Sequence, residues 1–564
     1  MLKKNTNIGS LIIKGFLIYL IITFILYPNI NLLISVFFKN GQFSTDAFYK
    51  IAKSTRAINS MRNSFILAVS MIFTVNIIGV FIVLLTDYWD IKGAKFLNIA
   101  YMSTLVYGGV TLVTGYKFVY GSDGILTRLL VKIIPSLNPN WFTGYWAVIF
   151  IMTFACTSNH IIFLSNAIKS IDGHIIEAAK NMGAKGSTIF FKIVLPTLKP
   201  TLFAITILTF LTGLSAMSAP LIVGGVSFQT INPMIITFSK SPYSRELAAL
   251  LAVILGCSTI VLLVIMNKVE KGGNYISVSK TKIKLKKQKI INPICNVLAH
   301  GVGYFLSIIY LVPIILVVVF SFCDSLSIKT GNITFNSLTL NNYIQFFTQS
   351  NSFKPYLVSI IYSLTAAVIV AVFSIIIARI VVKTKSKLSL FFEYSAIFPW
   401  LLPGTFIALG LMMTYDTPRM IINNKVLIGT LGILLIAYAV VKLPFTYRMI
   451  KASYYGVDDN LEEAAKCMGA NSFRTMVQVI LPVIMPAVAS VTVLNFNSLL
   501  SDYDISVFLY HPLFQPLGIV MKAASDETAT VNAQAMSFVY AVVLIIISSF
   551  ALYFTQRDKK KVRK

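Results

Sequence analysis

The chain has 564 residues, of which 56% are hydrophobic and only 12% charged, a balance outside that of soluble globular proteins and suited to a multi-span membrane protein. That length accommodates about twelve 20-residue spans with their loops. A formal net charge of +28 would suit nucleic acid, but Lys and Arg placed between apolar runs report membrane orientation instead, so no nucleic-acid partner is expected.

The first apolar run, about 15–38, is too long for a signal-peptide core and follows Lys3, Lys4 and Lys14, which places the N-terminus in the cytoplasm. A polar outer loop and a second span at about 64–86 follow. A short inner loop then carries Asp87, Asp90, Lys92 and Lys95. The third span, near 96–116, is interrupted by Gly108-Gly109 and Gly115. Residues 117–140 read as an amphipathic outer segment with a turn at 120–124. The fourth span, about 142–165, leads into a polar stretch at 171–200, and the fifth and sixth spans fall near 200–222 and 244–267.

Residues 268–298 form a basic linker with Lys268, Lys271, Lys280, Lys282, Lys284, Lys286, Lys287 and Lys289 against the single acid Glu270. A solvated inner segment touching anionic lipid is the expected role. The plan then repeats, with spans near 299–322, 356–381, 389–413, 426–446, 486–510 and 530–554. The domain reading is therefore a first repeat at 1–267, the linker at 268–298 and a second repeat at 299–564. The expected fold is all-α, about twelve transmembrane helices in two parallel six-helix repeats.

The polar stretch at 171–200 recurs at 457–486 without a gap, with about 11 of 30 positions identical. Each copy predicts a helix, a glycine turn and a second helix. Asp172 and Asp458 suit the N-cap, and Gly183 and Gly469 suit a left-handed helix end. Ile175, Ala179 and Met182, and likewise Leu461, Ala465 and Met468, predict one apolar face on each first helix. Pro196 and Pro482 are expected to stop or kink the second helix.

Other chemistry is sparse. No Gly-x-x-x-x-Gly-Lys-Ser/Thr loop occurs, and His160, His174, His300 and His511 are isolated in sequence. Cys156, Cys257, Cys295, Cys323 and Cys467 have no paired spacing. No catalytic group, metal site or resident cofactor is expected. Ionisable and amide residues within spans are functional candidates by default, which singles out Asn495, Asn497, Asp502 and Asp504 in the eleventh span as a possible substrate path.

Glu177-Ala178-Ala179, Gly183, Ile193 and Leu195-Pro196 resemble the "EAA" loop of binding-protein-dependent ABC import permeases. The second copy, Glu463-Ala464-Ala465, Gly469 and Leu481-Pro482, departs only at Val479. Thr339-Leu340-Asn341-Asn342-Tyr343, Pro399 with Pro403-Gly404, and Lys442-Leu443-Pro444-Phe445 with Arg448 also resemble that family, whereas the first half has Ser158 and Ile162 in place of the last Pro and Arg. The resemblance implies type I ABC importer permease architecture in a bacterial inner membrane, with both termini cytoplasmic. It further implies two ATP-binding cassette subunits docked on the two loops, with ATP and Mg used by those partners, and an external substrate-binding protein.

The fused build is similar to ferric-iron permeases and to 2-aminoethylphosphonate and thiamine permeases. Asp502 and Asp504, read as unpaired acids while nearly all Lys and Arg sit at span ends, tilt the choice toward ferric iron. An ion-driven secondary transporter is the rival class, and it would not need two matching hairpins.

Overall fold

The computed structural model describes residues 8–39, 41–105, 108–271, 283, 285–330, 334–384, 386–526 and 528–562. Among these, ten helices are long and apolar enough to cross a membrane, and two bent pairs bring the spans to twelve. The first half contains Leu11–Phe37, Thr55–Tyr88, the pair Ala94–Leu105 with Gly109–Ile133, Gly144–Lys169, Gly186–Leu214 and Pro242–Met266. The second half repeats the order with Pro293–Ser321, Ser350–Lys383, the pair Lys387–Leu401 with Gly404–Tyr415, Leu431–Tyr455, Ser472–Leu500 and Val531–Ala551. A tiny hairpin, Phe38–Lys39 with Gln42–Phe43, is the one named sheet among the described residues.

The third span of each half is not the single crossing that the sequence suggests. It breaks and bends by 115° in the first half and 106° in the second. Gly109, at φ +57°, starts the first of these second segments. In the second half, Pro403 precedes Gly404, where proline disfavours helix in the residue before it.

The fifth and eleventh spans also differ from expectation. They begin at Gly186 and Ser472, inside the polar hairpins, and end at Leu214 and Leu500 rather than near 222 and 510. Pro196 and Pro482 do not stop them. A π-turn precedes each Leu-Pro, at Phe190–Val194 and Thr475–Ile480. The wider turn moves carbonyls off the position where the proline ring would collide, so the helix continues. Beyond Leu214 and Leu500 come short helices, Ser218–Val223 then Ile231–Ser239, and Ser506–Leu509 then Leu517–Ala524. A serine of the second span holds each inner end: Ile231 N donates to Ser64 Oγ at 2.9 Å, and Leu517 N to Ser359 Oγ at 2.7 Å.

The first span of each half packs on the broken third span of the other half. On one side Tyr19 OH donates to Ile421 O at 2.9 Å, Asn31 Nδ2 to Thr414 Oγ1 at 2.9 Å, and Tyr415 OH to Thr23 O. On the other, Tyr101 OH donates to Gly303 O at 2.7 Å and Tyr304 OH to Lys92 O at 2.9 Å. Tyr310 OH also shares a hydrogen bond with Thr157 Oγ1. Buried Tyr101, Tyr310 and Tyr415 thus spend their hydroxyls on joining the halves, as buried polar groups must be paired.

The linker is not simply solvated. Its lysines at 280, 282 and 284 lie outside the described residues, but 283 and 285–292 lie against the first half as a strap. Gln288 N donates to Tyr88 O at 2.8 Å, Asp90 N to Gln288 O at 2.9 Å, and Lys287 Nζ to Thr86 O at 2.7 Å. Leu285 and Ile290 pack against the first half's core, which pulls this part of a basic run out of water.

Candidate functional site: paired hairpins and an interior polar cavity

The repeated hairpins fold alike. Helix Gly173–Asn181 is capped by Asp172, whose carboxylate accepts from His174 N at 3.1 Å. Helix Asp459–Cys467 is capped by Asp458, accepting from Asn460 N at 2.9 Å. Gly183 and Gly469 both stand at φ +80°. Ala184 N bonds to Ala179 O and Gly183 N to Lys180 O, and the second copy repeats this with Ala470 to Ala465 and Gly469 to Lys466. This is a Schellman end, which only a left-handed residue permits without strain.

The expected apolar face divides in two. Ala179 and Ala465 are buried against the body, with Ile176 beside the first. Ile175 and Leu461 are exposed, and Met182 and Met468 are each 81% exposed. Together with exposed Ala178 and Ala464, they form an outward apolar stripe flanked by Glu177 and Glu463, which are exposed too. Pro196 and Pro482 sit in the next helix, behind the π-turns.

The two helices are anchored by different chemistry. In the first copy, Ile176 is buried, Gly173 N donates to the strap's Ile283 O at 3.0 Å, and Lys286 Nζ lies 3.6 Å from Glu177 Oε1. In the second, the matching position is Glu462, buried among Lys383 at 2.5 Å, Lys466 at 3.7 Å and Arg379 at 3.9 Å. Burial alone would push the Glu462 carboxyl up. The hydrogen bond and charge of Lys383, with Lys466 and Arg379, outweigh it and hold the group below the usual carboxylate range. Arg379 also donates to Ser472 O at 3.1 Å, gripping the start of the eleventh span. Sequence reading missed Glu462, because its neighbour Glu463 carries the motif and Glu462 has no acidic counterpart in the first copy.

A cavity of about 380 Å³ lies at the junction of the halves. Leu105, Gly108, Gly109 and Ser218 line it from the first half, and Asn497, Ser501, Asp502 and Asp504 from the second. A second cavity of about 360 Å³ is bounded by Trp400, Lys442, Pro444 and Asn495. The two share Leu494 and Ser498. All four of Asn495, Asn497, Asp502 and Asp504 therefore line one or the other of these two cavities.

Their roles within it differ. Asn495 Nδ2 donates to Thr446 Oγ1 at 2.7 Å, and Asn497 Nδ2 to Ser548 O at 3.3 Å. Asp502 follows the end of the eleventh span and caps the short helix, accepting from Ile505 N and Ser506 N at 3.2 Å each and from the Tyr438 hydroxyl. Asp504 lines the cavity as an exposed residue beyond the end of the span. The acids are not the only charges there. Lys442 stands inside the span Leu431–Tyr455 and acts electrostatically on both aspartates, which corrects the expectation that these acids are unpaired. Its place in an apolar run was visible; its approach to a segment some sixty residues on was not. Nearby, Arg448 stacks on Trp400 at 4.5 Å, joining the tenth span to the break in the ninth.

Residues 63–272 and 371–564 each match the sequence profile described as "Binding-protein-dependent transport system inner membrane component". The chain is 32% identical over 538 residues to "Probable ABC transporter permease protein y4fN" of Sinorhizobium fredii, covering 95% of this chain and 94% of that protein. It is 26% identical over 502 residues to "Ferric transport system permease protein FbpB" of Actinobacillus pleuropneumoniae, covering 87% of this chain and 70% of that one. A shorter match, 33% over 150 residues, covers 25% of this chain and 56% of the spermidine/putrescine permease PotC of Escherichia coli.

Proposed function

The chain belongs to the family of binding-protein-dependent transport system inner membrane components, and from that premise we propose that it is the path-forming subunit of a ferric-iron importer. It is an ABC importer permease with type I architecture, a multi-pass membrane protein carrying both six-span halves on one chain. The observation that carries the importer mechanism is the pair of identically ended hairpins, each presenting an exposed methionine and glutamate beside a capped, glycine-terminated helix. Each offers an apolar stripe with a rim charge, the form of a helix that lies in a partner's groove.

In this reading the hairpins face the cytoplasm and each docks into one ATP-binding cassette subunit, where ATP and Mg are consumed. Glu177, Ala178, Gly183 and Pro196, with Glu463, Ala464, Gly469 and Pro482, transmit the movement. Both termini lie on the same side, in keeping with the excess of Lys and Arg there. An external binding protein delivers the solute to the junction cavity. Iron as the substrate is supported by the ferric permease relative that aligns with 87% of this chain. Lys442 favours a second reading, an oxyanion such as a phosphonate, since an ammonium in the path attracts anionic oxygen.

Deleting the chain and measuring uptake of radioactive ferric iron and of 2-aminoethylphosphonate separates the two. Loss of iron uptake alone is expected. Intact iron uptake with lost growth on the phosphonate refutes the iron reading. Failure of the chain to copurify with an ATPase refutes the importer reading.

A further inference from the structure

The linker between the two halves runs beside the first hairpin. Ile283 O accepts from Gly173 N at 3.0 Å, at the start of the hairpin helix, and Lys286 Nζ lies 3.6 Å from Glu177 Oε1. Leu285 and Ile290 pack on the apolar cluster that holds Ile176 and Ala179, the underside of that helix. Gln288 and Lys287 fasten the strap to the inner end of the second span through Tyr88, Asp90 and Thr86. Among the described residues, no linker segment bonds to the helix Asp459–Cys467, and Glu463 has no ion-pair partner.

A tether between two helix ends needs none of these contacts. Ordering an extended segment costs conformational entropy, which the hydrogen bonds and the packed Leu285 and Ile290 offset. The outward side of the strap does nothing for the fold. Ile283 is 45% exposed, and the side chains of Lys286 and Glu177 are 82% and 52% exposed. A pair so exposed adds little to stability, so holding the helix is no reason for a lysine at 286. The strap touches the helix at both Gly173 and Glu177. A partner that lies on the stripe of Ile175, Ala178 and Met182 and covers Glu177 therefore also meets Lys286, and one that reaches the helix start meets Ile283.

We propose that the strap is part of the first docking surface, so that an ATP-binding cassette subunit seated there contacts Ile283 and Lys286 together with the hairpin. This rests on reading the hairpins as ATPase docking sites, and extends the first of them onto the linker. The partner it fits has an apolar groove that continues past the helix start to Ile283 and an acidic group on the rim opposite Lys286. At the second hairpin the exposed motif charge is Glu463, which calls for a basic group instead. The linker thereby makes the two docking surfaces chemically unequal.

Labelling with a charged maleimide tests the contact. The full chain, with exposed Cys257, Cys295 and Cys467 changed to Ser, is placed in lipid nanodiscs with and without its cognate ATPase. Met182→Cys reports docking of the hairpin, and Ile283→Cys and Lys286→Cys report the strap. Tyr243→Cys is the control, since Tyr243 is 92% exposed at the end of the sixth span far from the linker. The ATPase should slow labelling at least tenfold at the hairpin and strap cysteines and leave the control unchanged. Protection of Met182→Cys with both strap cysteines labelled within twofold of the free rate overturns the proposal and leaves the importer reading standing. Absence of protection at Met182→Cys refutes the importer reading and the proposal with it.

Charge reversal separates a partner contact from an internal support. Lys286→Glu should weaken ATPase binding at least fivefold while amide exchange across 173–182 in the free permease stays within twofold. Weakened binding accompanied by faster exchange shows that Lys286 only holds the helix, and overturns the proposal, as does binding within twofold of the unsubstituted protein.

Discussion

Glu462→Gln removes the anchor of the second hairpin helix while leaving the shape of the side chain. Stripping one partner from a buried ion pair costs about 3–5 kcal/mol, whereas an exposed pair contributes about 0–1 kcal/mol. Glu462 is 9% exposed, but the Lys383 and Lys466 side chains are 38% and 59% exposed and rehydrate where they stand. The loss therefore lies between these limits, at about 1–2 kcal/mol. Since 1.4 kcal/mol is about tenfold, the ratio of seated to released helix falls by roughly five- to thirtyfold. Amide hydrogen exchange across 459–470 measures that ratio directly, and stimulation of the partner ATPase measures its consequence. Glu463→Gln is the control, because Glu463 is exposed and should change partner binding without changing exchange. Exchange within twofold of the unsubstituted protein in Glu462→Gln refutes the anchoring argument.

The same anchor has a pH signature. A carboxyl held below its ordinary value stabilises above its unfolded pKa, and that contribution is lost as pH falls through the lower folded value. Protection of 459–470 should therefore stay level from about pH 8 to pH 5 and erode only below about 4.3.

Three further outcomes are expected. In Gly469→Ala the added Cβ meets no atom within 4 Å but the residue must hold φ +80°, so it costs about 1–2 kcal/mol through backbone strain alone, read as faster exchange with normal membrane insertion. Gln288→Pro deletes the donor to Tyr88 O, a loss of about 1 kcal/mol; limited trypsin digestion should then cut at Lys286, Lys287 or Lys289 sooner, and unchanged cleavage argues against a docked strap. Tyr101→Phe and Tyr415→Phe each remove one bond between the halves, about 1 kcal/mol apiece, and thermal unfolding of the double variant should show additive losses because the sites are far apart.

What could be read from the sequence was what repeats locally. Asp172, Asp458, Gly183 and Gly469 announce caps and turns through their own backbone preferences, and the structure puts each where those preferences place it. Apolar runs gave the number and order of spans for the same reason. Boundaries slipped where a local signal has two outcomes. Leu195-Pro196 breaks a regular helix, but a π-turn upstream absorbs the ring, and nothing in the string Phe190–Val194 declares that turn. Met182 and Met468 follow helical spacing yet point outward, because periodicity identifies a stripe and not what covers it. The Lys442–Asp502–Asp504 grouping and the strap depend on contacts between distant segments, which a single sequence does not encode in any window.

The exchange of first spans between halves bears on how the protein is made. Tyr19 finds its partner carbonyl 402 residues later in the chain. At roughly 5–20 residues per second, synthesis takes about 20–80 s to cover that distance. Through that interval the first helix stands in lipid with Asn29 and Asn31 already inserted and its docking surface on the second half not yet translated. A segment translated 402 residues after Tyr19 completes the packing of the first span.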